Sequence, residues 1–367
     1  MKILQISSAS SFGGGERYVV DLTNALAARG HDLFVVVRPD SPLPNYLQIS
    51  KDKIKKLPLR NALDAQSARE LDRFVKEHEI DIVHAHMARD YSLAAYATRR
   101  NPSTKFFVTR HVLFKLNSLH RRTLSRVTRV IAVSHAVQRE LLSQELVPAN
   151  QIAVIPNGID VDRFAQTKLT FDRKKFLHSK GLPNARWWVA TVGELRTLKR
   201  YDDFIRAAAK VARNFPDVHF IIAGVDPSKT ADVRRSLKHL VAELGLKDRV
   251  HFLGWLDDAA KLYCLLDVFV SASEIESFGL VIAEAMSVGK PVVATSTEGA
   301  MEVVEDQKTG LLVPIGNTEQ MADAITRLLS DDEKRRVLGE NASEVVNRKF
   351  SLRRMVDEIE RLYVGRP

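Results

Sequence analysis

Near its start the chain contains Lys2-Ile3-Leu4-Gln5-Ile6-Ser7, then Gly13-Gly14-Gly15, and then Leu33-Phe34-Val35-Val36-Val37. Two apolar runs of this length predict buried parallel strands, and the period over 16–28 predicts a helix between them. Gly30 follows that helix at the position of a C-terminal cap. A strand, a glycine-rich turn, a helix and a second strand form one βαβ unit, so this stretch predicts an α/β fold class.

The same alternation continues along the chain in two blocks. It predicts further strands at Ile82–His86, Lys105–Thr109, Val130–Val133, Ile152–Ile155, Trp187–Val192, His219–Ala223, Val250–Leu253, Val268–Ser271, Pro291–Ala294 and Gly310–Val313. It predicts further helices at Ala65–Glu77, Tyr91–Arg100, Leu119–Arg126, Ala136–Leu142, 318–329, 331–347 and 351–364. Each block is typical of a doubly wound parallel sheet, so we expect two Rossmann-like domains facing each other across a cleft.

Between the blocks the pattern breaks. Pro156-Asn157-Gly158 is a turn signal, and 157–184 is polar without a clean period. We therefore predict a first domain of residues 1–165 and a second domain of residues 185–348. The predicted linker covers 156–185 and so overlaps the end of the first domain. Ligands of such sheets bind at the carboxyl ends of the strands, so the expected site lies in the cleft between the domains.

Charge is unevenly distributed along the chain, whose formal net charge is +10. Residues 1–180 hold 29 lysines and arginines against 17 acids, whereas residues 181–367 hold 26 against 28. The stretch 89–139 alone has eleven basic residues and one acid. An anionic substrate or an anionic membrane would suit this charge. Nucleic acid is not expected as a partner, because no recognition motif or stacking aromatics accompany the charge.

The number of cysteines and the lengths of the apolar runs bear on the cellular compartment in which the protein is expected. The single cysteine, Cys264, cannot form an internal disulfide, which fits a reducing environment. Residues 1–6 are too short an apolar run for a signal peptide, and no stretch approaches the about 20 apolar residues of a membrane span. The sequence therefore predicts a cytoplasmic protein that is peripheral on the inner face of the cell membrane.

Two loops at predicted strand ends suit an anion. Gly13-Gly14-Gly15 precedes a helix whose free amides and dipole favour an anion, although a tight turn in which Glu16 stabilises the helix start would use the same residues. The loop from Gly193 to Arg200 brings Arg196 and Lys199 close to the start of a helix. There they could neutralise a diphosphate; a solvated basic loop is the alternative.

The segment Ser273–Met286 places Glu276 and Glu284 eight residues apart, on either side of a predicted helix start at Phe278-Gly279-Leu280. Free amides there suit phosphate oxygens, and each carboxylate can accept hydrogen bonds from sugar hydroxyls. A glutamate in an otherwise apolar helix needs a partner, so an internally hydrogen-bonded Glu284 is the alternative.

Eight motifs, in the same order over nearly the whole chain, resemble those of the retaining glycosyltransferases of family 4, which have the GT-B fold. They are Gly13-Gly14-Gly15-Glu16-Arg17, Asp81 to His86, Thr109-Arg110-His111, Val133-Ser134, Ile155 to Asp160 with Arg163-Phe164, Gly193 to Lys199, Phe252-Leu253-Gly254, and Glu276 to Glu284. The last resembles the EX7E motif of the family and is the most specific.

The resemblance implies a metal-independent, retaining transfer of a hexose-type sugar from a nucleotide-diphosphate sugar, with UDP favoured over GDP. The implied acceptor is a glycan or a lipid-linked molecule in cell-envelope polysaccharide or glycolipid synthesis. No Asp-x-Asp triplet occurs, so neither a metal nor another cofactor is expected. Alternatives are a GT-B sugar-nucleotide epimerase, a glycosidic phosphorylase, or a non-catalytic sugar-nucleotide-binding protein at a membrane surface.

The resemblance also implies site residues. Catalytic roles fall to Arg196, Lys199, Glu276 and His111, and donor-binding roles to Gly14, Gly15, Gly193, Leu253, Phe278, Gly279, Leu280 and Glu284. Arg196 and Lys199 would hold the diphosphate, and Glu284 would bind the ribose. Glu194 stands where the family often has arginine, so Arg196 takes that role, and Arg200 replaces a usual glycine. The final helix, within 351–367, is expected to pack on the first domain.

Histidines and basic residues of the first half leave alternatives open. His111 would contact the transferred sugar, but a core or strand-end histidine is the alternative for it and for His84 and His86, whose spacing could suit a metal without an evident third ligand. The stretch 113–129 predicts a basic amphipathic helix. Its cations are assigned to the acceptor or to an anionic membrane surface, and a solvated helix packed on its own domain is the alternative. These cations are Lys115, Arg121, Arg122 and Arg126.

Overall fold

The computed structural model describes residues 1–117, 119–228 and 230–365. Its strands are β1 (Lys2–Ser7), β2 (Asp32–Val37), β3 (Ile54–Lys56), β4 (Ile82–Ala85), β5 (Lys105–Arg110), β6 (Arg129–Ala132), β7 (Ile152–Val154), β8 (Trp187–Val192), β9 (Val218–Ala223), β10 (Val250–Gly254), β11 (Val268–Ser271), β12 (Val292–Thr295) and β13 (Leu311–Val313). Its helices are α1 (Gly14–Ala28), α2 (Ala65–Glu77), α3 (Tyr91–Arg100), α4 (Leu119–Leu124), α5 (His135–Ser143), α6 (Val161–Thr170), α7 (Arg173–Ser179), α8 (Tyr201–Asn214), α9 (Asp232–Glu243), α10 (Ala260–Leu265), α11 (Leu280–Ser287), α12 (Glu298–Val303), α13 (Thr318–Ser330), α14 (Asp332–Lys349) and α15 (Leu352–Val364).

Two compact units make up the chain. Unit 1 comprises Met1–Gly158 and Leu352–Pro367, and unit 2 comprises Ile159–Ser351. Within the described residues, unit 1 has a parallel sheet in the order β3-β2-β1-β4-β5-β6-β7, and unit 2 has one in the order β10-β9-β8-β11-β12-β13. In each sheet the chain order reverses beside the first strand of the unit, as in a doubly wound Rossmann-like fold. The prediction of two such parallel-sheet domains is confirmed.

The strands are apolar because helices cover both faces of a parallel sheet. In β1 and β2 all but the first residue of each strand are buried. The core of unit 1 combines Val35, Phe107 and Ile131 of the sheet with Leu22 of α1 and Ile359 of α15. The last helix of the chain therefore belongs to the core of unit 1, and it supplies the apolar face that covers α1 and β1.

Two helices lie in the stretch that we predicted as a linker. Asp160 and Asp172 are the N-terminal caps of α6 and α7. Their carboxylates accept hydrogen bonds from the Arg163 N–H (3.1 Å) and the Lys175 N–H (3.0 Å), respectively. They bury few side chains, with Phe164 in α6 and Phe176 and Leu177 in α7. The apolar period is therefore too weak to be read from the sequence, and both helices belong to unit 2 rather than to a linker.

The predicted basic amphipathic helix over 113–129 is wrong. Among the residues that the structure describes in this stretch, Leu119–Leu124 form α4, close to the helix predicted at Leu119–Arg126, whereas residues 113–117 have no regular structure. The backbone there is bonded outside a helix: the Phe114 carbonyl accepts a hydrogen bond from the Arg110 guanidinium, and the Leu116 N–H donates to Gln144 Oε1 at 2.8 Å. These bonds replace the i→i−4 pattern that a longer helix would need.

Strand β3 was not predicted, since three residues are too few to show a period. It pairs with β2 as the edge strand of the unit 1 sheet. Across the part of the chain that the structure describes, no helix combines the length and the apolar composition that crossing a bilayer requires.

Candidate active site

An ion pair joins two loops at the carboxyl edge of the unit 2 sheet. Lys199, after β8, donates from Nζ to Glu276 Oε1 at 2.5 Å, and Ser273, after β11, donates from its hydroxyl to the same oxygen at 2.7 Å. Strands β8 and β11 are neighbours in the sheet, so residues 77 positions apart meet here. The structure therefore brings together two of the four predicted catalytic residues, and it adds Ser273, which the sequence did not single out.

Arg196 lies apart from this pair. Its guanidinium donates from Nε to Glu194 Oε2 at 2.5 Å, and its side chain is exposed. Glu194 stands where the family often has an arginine, and it is the ion-pair partner of Arg196, the residue that is expected to take the role of that arginine. Arg200 has left-handed backbone torsions at the start of α8 and donates to Asp203 at 2.6 Å. Its charge is therefore held at the helix N-terminus by an acid of the first turn.

The loop at Gly193 is held by the buried Tyr201, whose hydroxyl donates to the Gly193 carbonyl at 2.8 Å. Burial raises the pKa of Tyr201, and the nearby Glu276 and Glu194 carboxylates raise it further. The phenol therefore stays protonated and can serve as a donor. Tyr201 follows directly on the basic loop, but its role could not be read from the sequence, where it resembles any core aromatic residue.

Helix α11 begins next to Glu276. Gly279 precedes it in the left-handed conformation with φ +91°, and Leu280 is its first residue. Phe278 is buried against Phe350, so only its backbone is available to a ligand. The first amides of a helix have no acceptor within the helix, so this end suits phosphate oxygens, as predicted from the sequence.

A second glycine lets α12 approach this loop closely. The Gly299 N–H donates to the Glu276 carbonyl at 3.1 Å. A Cβ at Gly299 would lie 2.5 Å from that carbonyl oxygen and 2.6 Å from the Phe278 nitrogen. Only glycine therefore allows α12 to support the loop between Glu276 and Phe278 without displacing it.

Glu284 and Leu253 are the remaining predicted donor-binding residues of unit 2. Glu284 Oε2 accepts a hydrogen bond from the Tyr263 hydroxyl at 2.8 Å, so the carboxylate in this apolar helix is partnered. Burial, together with the Glu284 carboxylate, raises the pKa of Tyr263 well above its ordinary value. Leu253 lies at a bulge, where the pairing of β10 with β9 shifts between Phe252 and Gly254. Bulges of this kind leave backbone groups outside the ladder, next to ligand sites in many proteins.

In unit 1, the glycine-rich loop caps α1. Gly13 precedes the helix, and its N–H donates to Glu16 Oε2 at 2.9 Å, as the tight-turn alternative describes. Gly14 and Gly15 form the first turn, and a Cβ at Gly15 would lie 3.7 Å from His111 Cγ. The structure therefore brings together the glycine loop and His111, two predicted features of the first half.

Three histidines form a network beside that loop, of which His84 and His86 are buried and His111 is partly exposed. His86 Nε2 lies 2.7 Å from Gln5 Oε1, and His86 Nδ1 lies 3.3 Å from His111 Nε2. His84 bridges Tyr363 of α15 (2.6 Å) and Thr109 of β5 (2.7 Å). His84 and His86 are therefore core residues, which is the alternative to metal binding that the sequence left open. Among the residues that the structure describes, no group of three or more histidines, cysteines and acids could hold a metal ion.

Burial keeps these imidazoles neutral. It lowers the pKa of His84 to about 3 and that of His86 well below the ordinary value. Burial, and then the positive charge of Arg110, lowers the pKa of His111 to about 3. Because the Gln5 oxygen can only accept, His86 carries its proton on Nε2 and accepts at Nδ1 from His111 Nε2–H. His111 then offers the lone pair of Nδ1 to a ligand.

The four basic residues assigned to an acceptor or a membrane lie in and beside α4. Lys115, Arg121, Arg122 and Arg126 are all exposed. Arg121 donates to the Glu145 carbonyl at 3.2 Å, which ties α4 to the end of α5. Although no long helix forms, the exposed cations still share one short segment of unit 1.

The three neutral imidazoles make stability depend on pH. In the unfolded chain each takes up a proton near pH 6.5, whereas in the folded chain His84 and His111 do so only near pH 3, and the pKa of His86 is also well below its ordinary value. Below pH 6.5 the unfolded state binds more protons, so the free energy of unfolding falls as pH falls, by about 1.4 kcal/mol per pH unit for each imidazole. We expect His84→Gln to make this slope shallower in urea titrations between pH 6.5 and 4.5.

The control is His178→Gln, which removes an exposed imidazole of unit 2 outside the histidine network. Equal slopes for the wild type and His84→Gln would show that His84 is protonated in the folded protein and would contradict the prediction.

Comparison with known proteins follows the same two halves. The model of glycosyltransferase family 4 matches residues 12–163, and the model of glycosyl transferases group 1 matches residues 172–345. The N-acetyl-alpha-D-glucosaminyl L-malate synthase of Bacillus anthracis is 29% identical over 98% of this chain and 95% of its own length. The UDP-Gal:alpha-D-GlcNAc-diphosphoundecaprenol alpha-1,3-galactosyltransferase of Escherichia coli is 27% identical over 99% and 97%.

Solved structures show the same architecture. Alr3699/HepE of Anabaena in complex with UDP has a TM-score of 0.84 to this chain at 25% identity, and each chain is covered to 100%. Its complex with UDP-glucose has a TM-score of 0.86 at 24% identity with the same coverage. The two family models together span most of the chain, in the order in which the sequence motifs occur. The chain therefore belongs to the family 4 glycosyltransferases of GT-B fold.

Proposed function

We propose that this glycosyltransferase is a retaining enzyme that moves a hexose from a UDP-sugar to an anionic glycan or lipid-linked acceptor. We further propose that unit 2 holds the donor, that unit 1 supplies the acceptor, and that the product belongs to cell-envelope polysaccharide or glycolipid. The observation that carries the proposal is the Lys199–Glu276 pair beside the first amides of α11. A cation and free amides at one sheet edge are the groups that a leaving diphosphate needs.

The chemistry follows from where charge develops. The bond between the sugar C1 and the diphosphate oxygen breaks, the acceptor oxygen bonds to C1 on the same face, and the acceptor proton passes to the departing phosphate oxygen. Negative charge builds on the leaving diphosphate, so positioned donors stabilise the transition state most. Lys199 gives one of its three N–H groups to Glu276 and has two more to offer. Arg196 can add a second cation by leaving Glu194, since the Arg196 side chain is exposed.

The choice of donor rests on two supports. The carboxylate of Glu284 is oriented by the Tyr263 hydroxyl, and a carboxylate is a group that accepts hydrogen bonds from ribose hydroxyls. The Anabaena neighbour binds UDP and UDP-glucose, and the name of the Escherichia coli relative specifies a UDP-linked sugar. We propose no metal cofactor, because Lys199, Arg196 and the α11 amides supply the positive charge that a metal would otherwise provide.

The choice of acceptor rests on charge. Unit 1 carries the basic stretch 89–139, and the Lys115, Arg121, Arg122 and Arg126 side chains are exposed in it. The names of the two relatives contain L-malate and a diphosphoundecaprenol, both of which are anionic. We therefore propose an acceptor with a carboxylate or a phosphate, and attachment to an anionic membrane where that acceptor is lipid-linked.

Variants at the unit 2 site test the donor assignment. We expect Glu284→Ala to weaken the binding of UDP-sugars in a thermal-shift panel with GDP-sugars, where a ligand at 100 Kd adds about 2.7 kcal/mol. We expect Lys199→Ala to bind the donor but to turn over about 100-fold more slowly, since it removes a donor to the leaving group. Chelation by EDTA should leave the wild-type rate unchanged.

Lys210→Ala is the matched control, because Lys210 also pairs with a glutamate of unit 2, Glu319, but far along α8 from the site. Unchanged donor binding and turnover in both Glu284→Ala and Lys199→Ala would refute the site. Interconversion of sugar nucleotides without any acceptor would favour the epimerase instead.

A glycine pair separates damage to the site from damage to the fold. We expect Gly299→Ala to displace the loop from Glu276 to Phe278 and to weaken UDP-sugar binding at least tenfold, since the added Cβ meets two backbone atoms of that loop. Gly339→Ala creates a comparable clash elsewhere in unit 2, 2.1 Å from the Gly289 carbonyl oxygen. It should lower the melting temperature without weakening the binding of the donor to the folded protein. Equal affinity losses in both variants would contradict this assignment.

Liposome flotation tests the membrane proposal. We expect recovery with vesicles containing anionic phosphatidylserine, little recovery with neutral phosphatidylcholine vesicles, and loss of binding at high salt. The double variant Arg121→Gln/Arg122→Gln should reduce recovery several-fold. The control is Arg213→Gln/Lys247→Gln, which removes two exposed cations of unit 2. Equal recovery from neutral and anionic vesicles would refute the electrostatic attachment.

A further inference from the structure

Arg110 is a buried cation without an acid. It ends β5, and only 6% of the residue is exposed. Its guanidinium donates to the Phe114 carbonyl, and no carboxylate pairs with it anywhere in the described ranges. Its positive charge also acts on the Tyr91 hydroxyl, since burial raises the pKa of Tyr91 to about 12 while Arg110 opposes that rise. The polar groups near Arg110 thus include the Phe114 carbonyl, the Tyr91 phenol and the neutral imidazole of His111.

Such an arrangement is costly unless a ligand completes it. A guanidinium stays protonated in proteins and presents five N–H donors, and a buried charge needs a counter-charge. Two partly buried arginines of this chain have one: Arg29 pairs with Asp357 and Glu360, and Arg335 pairs with Asp332. Arg129, Arg173 and Arg249 are less buried than Arg110, and each donates to a backbone carbonyl. The carbonyl of Phe114 offsets only part of the charge of Arg110. The missing component is an anion.

The surroundings contain no anion to fill this role. Arg110 lies in the stretch 89–139, whose one acid is Asp90. That carboxylate accepts a hydrogen bond from the Ser8 N–H at 2.8 Å, and within the described residues it forms no ion pair with Arg110. The anion that would complete the Arg110 site therefore has to come from outside the chain.

The position of Arg110 indicates which ligand this is. It lies at the carboxyl end of a central parallel strand, where ligands of doubly wound sheets bind. It directly precedes His111, whose pKa its charge lowers. The carbonyl that holds it belongs to Phe114, in an irregular segment with an exposed ring, so the guanidinium can be released by a change in that segment alone.

We propose that Arg110 is the residue that recognises the anionic group of the acceptor, a carboxylate or a phosphate, through two parallel N–H···O bonds from its guanidinium. The Phe114 carbonyl holds the guanidinium in place until the ligand enters and replaces it. The inference rests on the proposed function in one respect only, namely that the bound anion is part of the acceptor. The anion site itself depends on Arg110 and its surroundings.

Calorimetric titration of the full chain with succinate and, separately, with inorganic phosphate tests the site and distinguishes the two chemistries. Each titration is done without and with saturating UDP, which occupies the proposed diphosphate site of unit 2. We expect one of the two anions to bind the wild type, and Arg110→Gln to weaken its binding about tenfold or more, as loss of a charged hydrogen-bonded pair implies. Arg110→Lys keeps the charge but not the planar fork and should bind with intermediate affinity.

Arg129→Gln is the matched control. Arg129 is also partly buried, and its guanidinium donates to the Thr128 carbonyl at 2.9 Å, but it begins β6 and so lies at the amino edge of the sheet. This variant should keep wild-type anion affinity. Equal affinity in the wild type and Arg110→Gln, or no binding of either anion to the wild type, would overturn the inference.

Two further readouts keep the test decisive. If Arg110→Gln does not fold, the Nε resonance of Arg110 in the wild type, assigned with Arg110→Lys, should shift when the anion is added, and an unmoved resonance would overturn the inference. Sugar transfer to an anionic acceptor with an unchanged KM in Arg110→Gln would also overturn it, while leaving the proposed function intact. Anion binding through Arg110 without sugar transfer from any sugar nucleotide would refute the proposed function, but the assignment of Arg110 as an anion site would stand.

Discussion

The contact between the Lys199 ammonium and the Glu276 carboxylate is the interaction on which the organisation of unit 2 depends. Parallel strands bring every strand-to-helix loop to one edge of a sheet, and this pair joins the loops of two neighbouring strands there. Ser273 adds a hydroxyl to the same carboxylate oxygen, and Gly299 brings α12 against the backbone of the same loop. The Lys199 ammonium is therefore held in place, with part of its charge offset by the Glu276 carboxylate.

Unit 1 uses the opposite electrostatic arrangement at the matching edge of its sheet. Burial keeps His84, His86 and His111 neutral, so their contribution is hydrogen-bond direction rather than charge. The network extends to Tyr363, which ties the last helix of the chain to the centre of the sheet. Charge is concentrated instead in Arg110, which no acid of the described chain neutralises. The neutral His111 imidazole next to the charged Arg110 guanidinium is an arrangement that suits an anionic substrate with a reacting hydroxyl.

Most of the fold could be predicted from apolar periodicity, because long parallel strands and amphipathic helices leave strong patterns. Ala65–Glu77, Tyr91–Arg100 and Trp187–Val192 have the predicted bounds. The pattern failed where few side chains are buried: α6 and α7 were predicted as linker, and the stretch 113–129 was predicted as one helix although the Arg110 and Gln144 side chains bond its backbone. The period of apolar residues shows which positions can share a buried face, and it does not show which side chains outside a segment will hydrogen-bond its backbone.

For the site, the sequence by itself determined the chemical types of the residues and the loops that carry them, including Glu276, Glu284 and Lys199, since motif spacing along a βα unit is local. Only the tertiary structure decided their partners. It paired Lys199 with Glu276, gave Arg196 to Glu194 and Glu284 to Tyr263, and left Arg110 without an acid. The physical reason is that the free energy of a charge depends on burial and on neighbours within a few ångströms. Glu194 is a local neighbour of Arg196, but the partners of Lys199 and Glu284 come from other elements, 77 and 21 residues away in the chain.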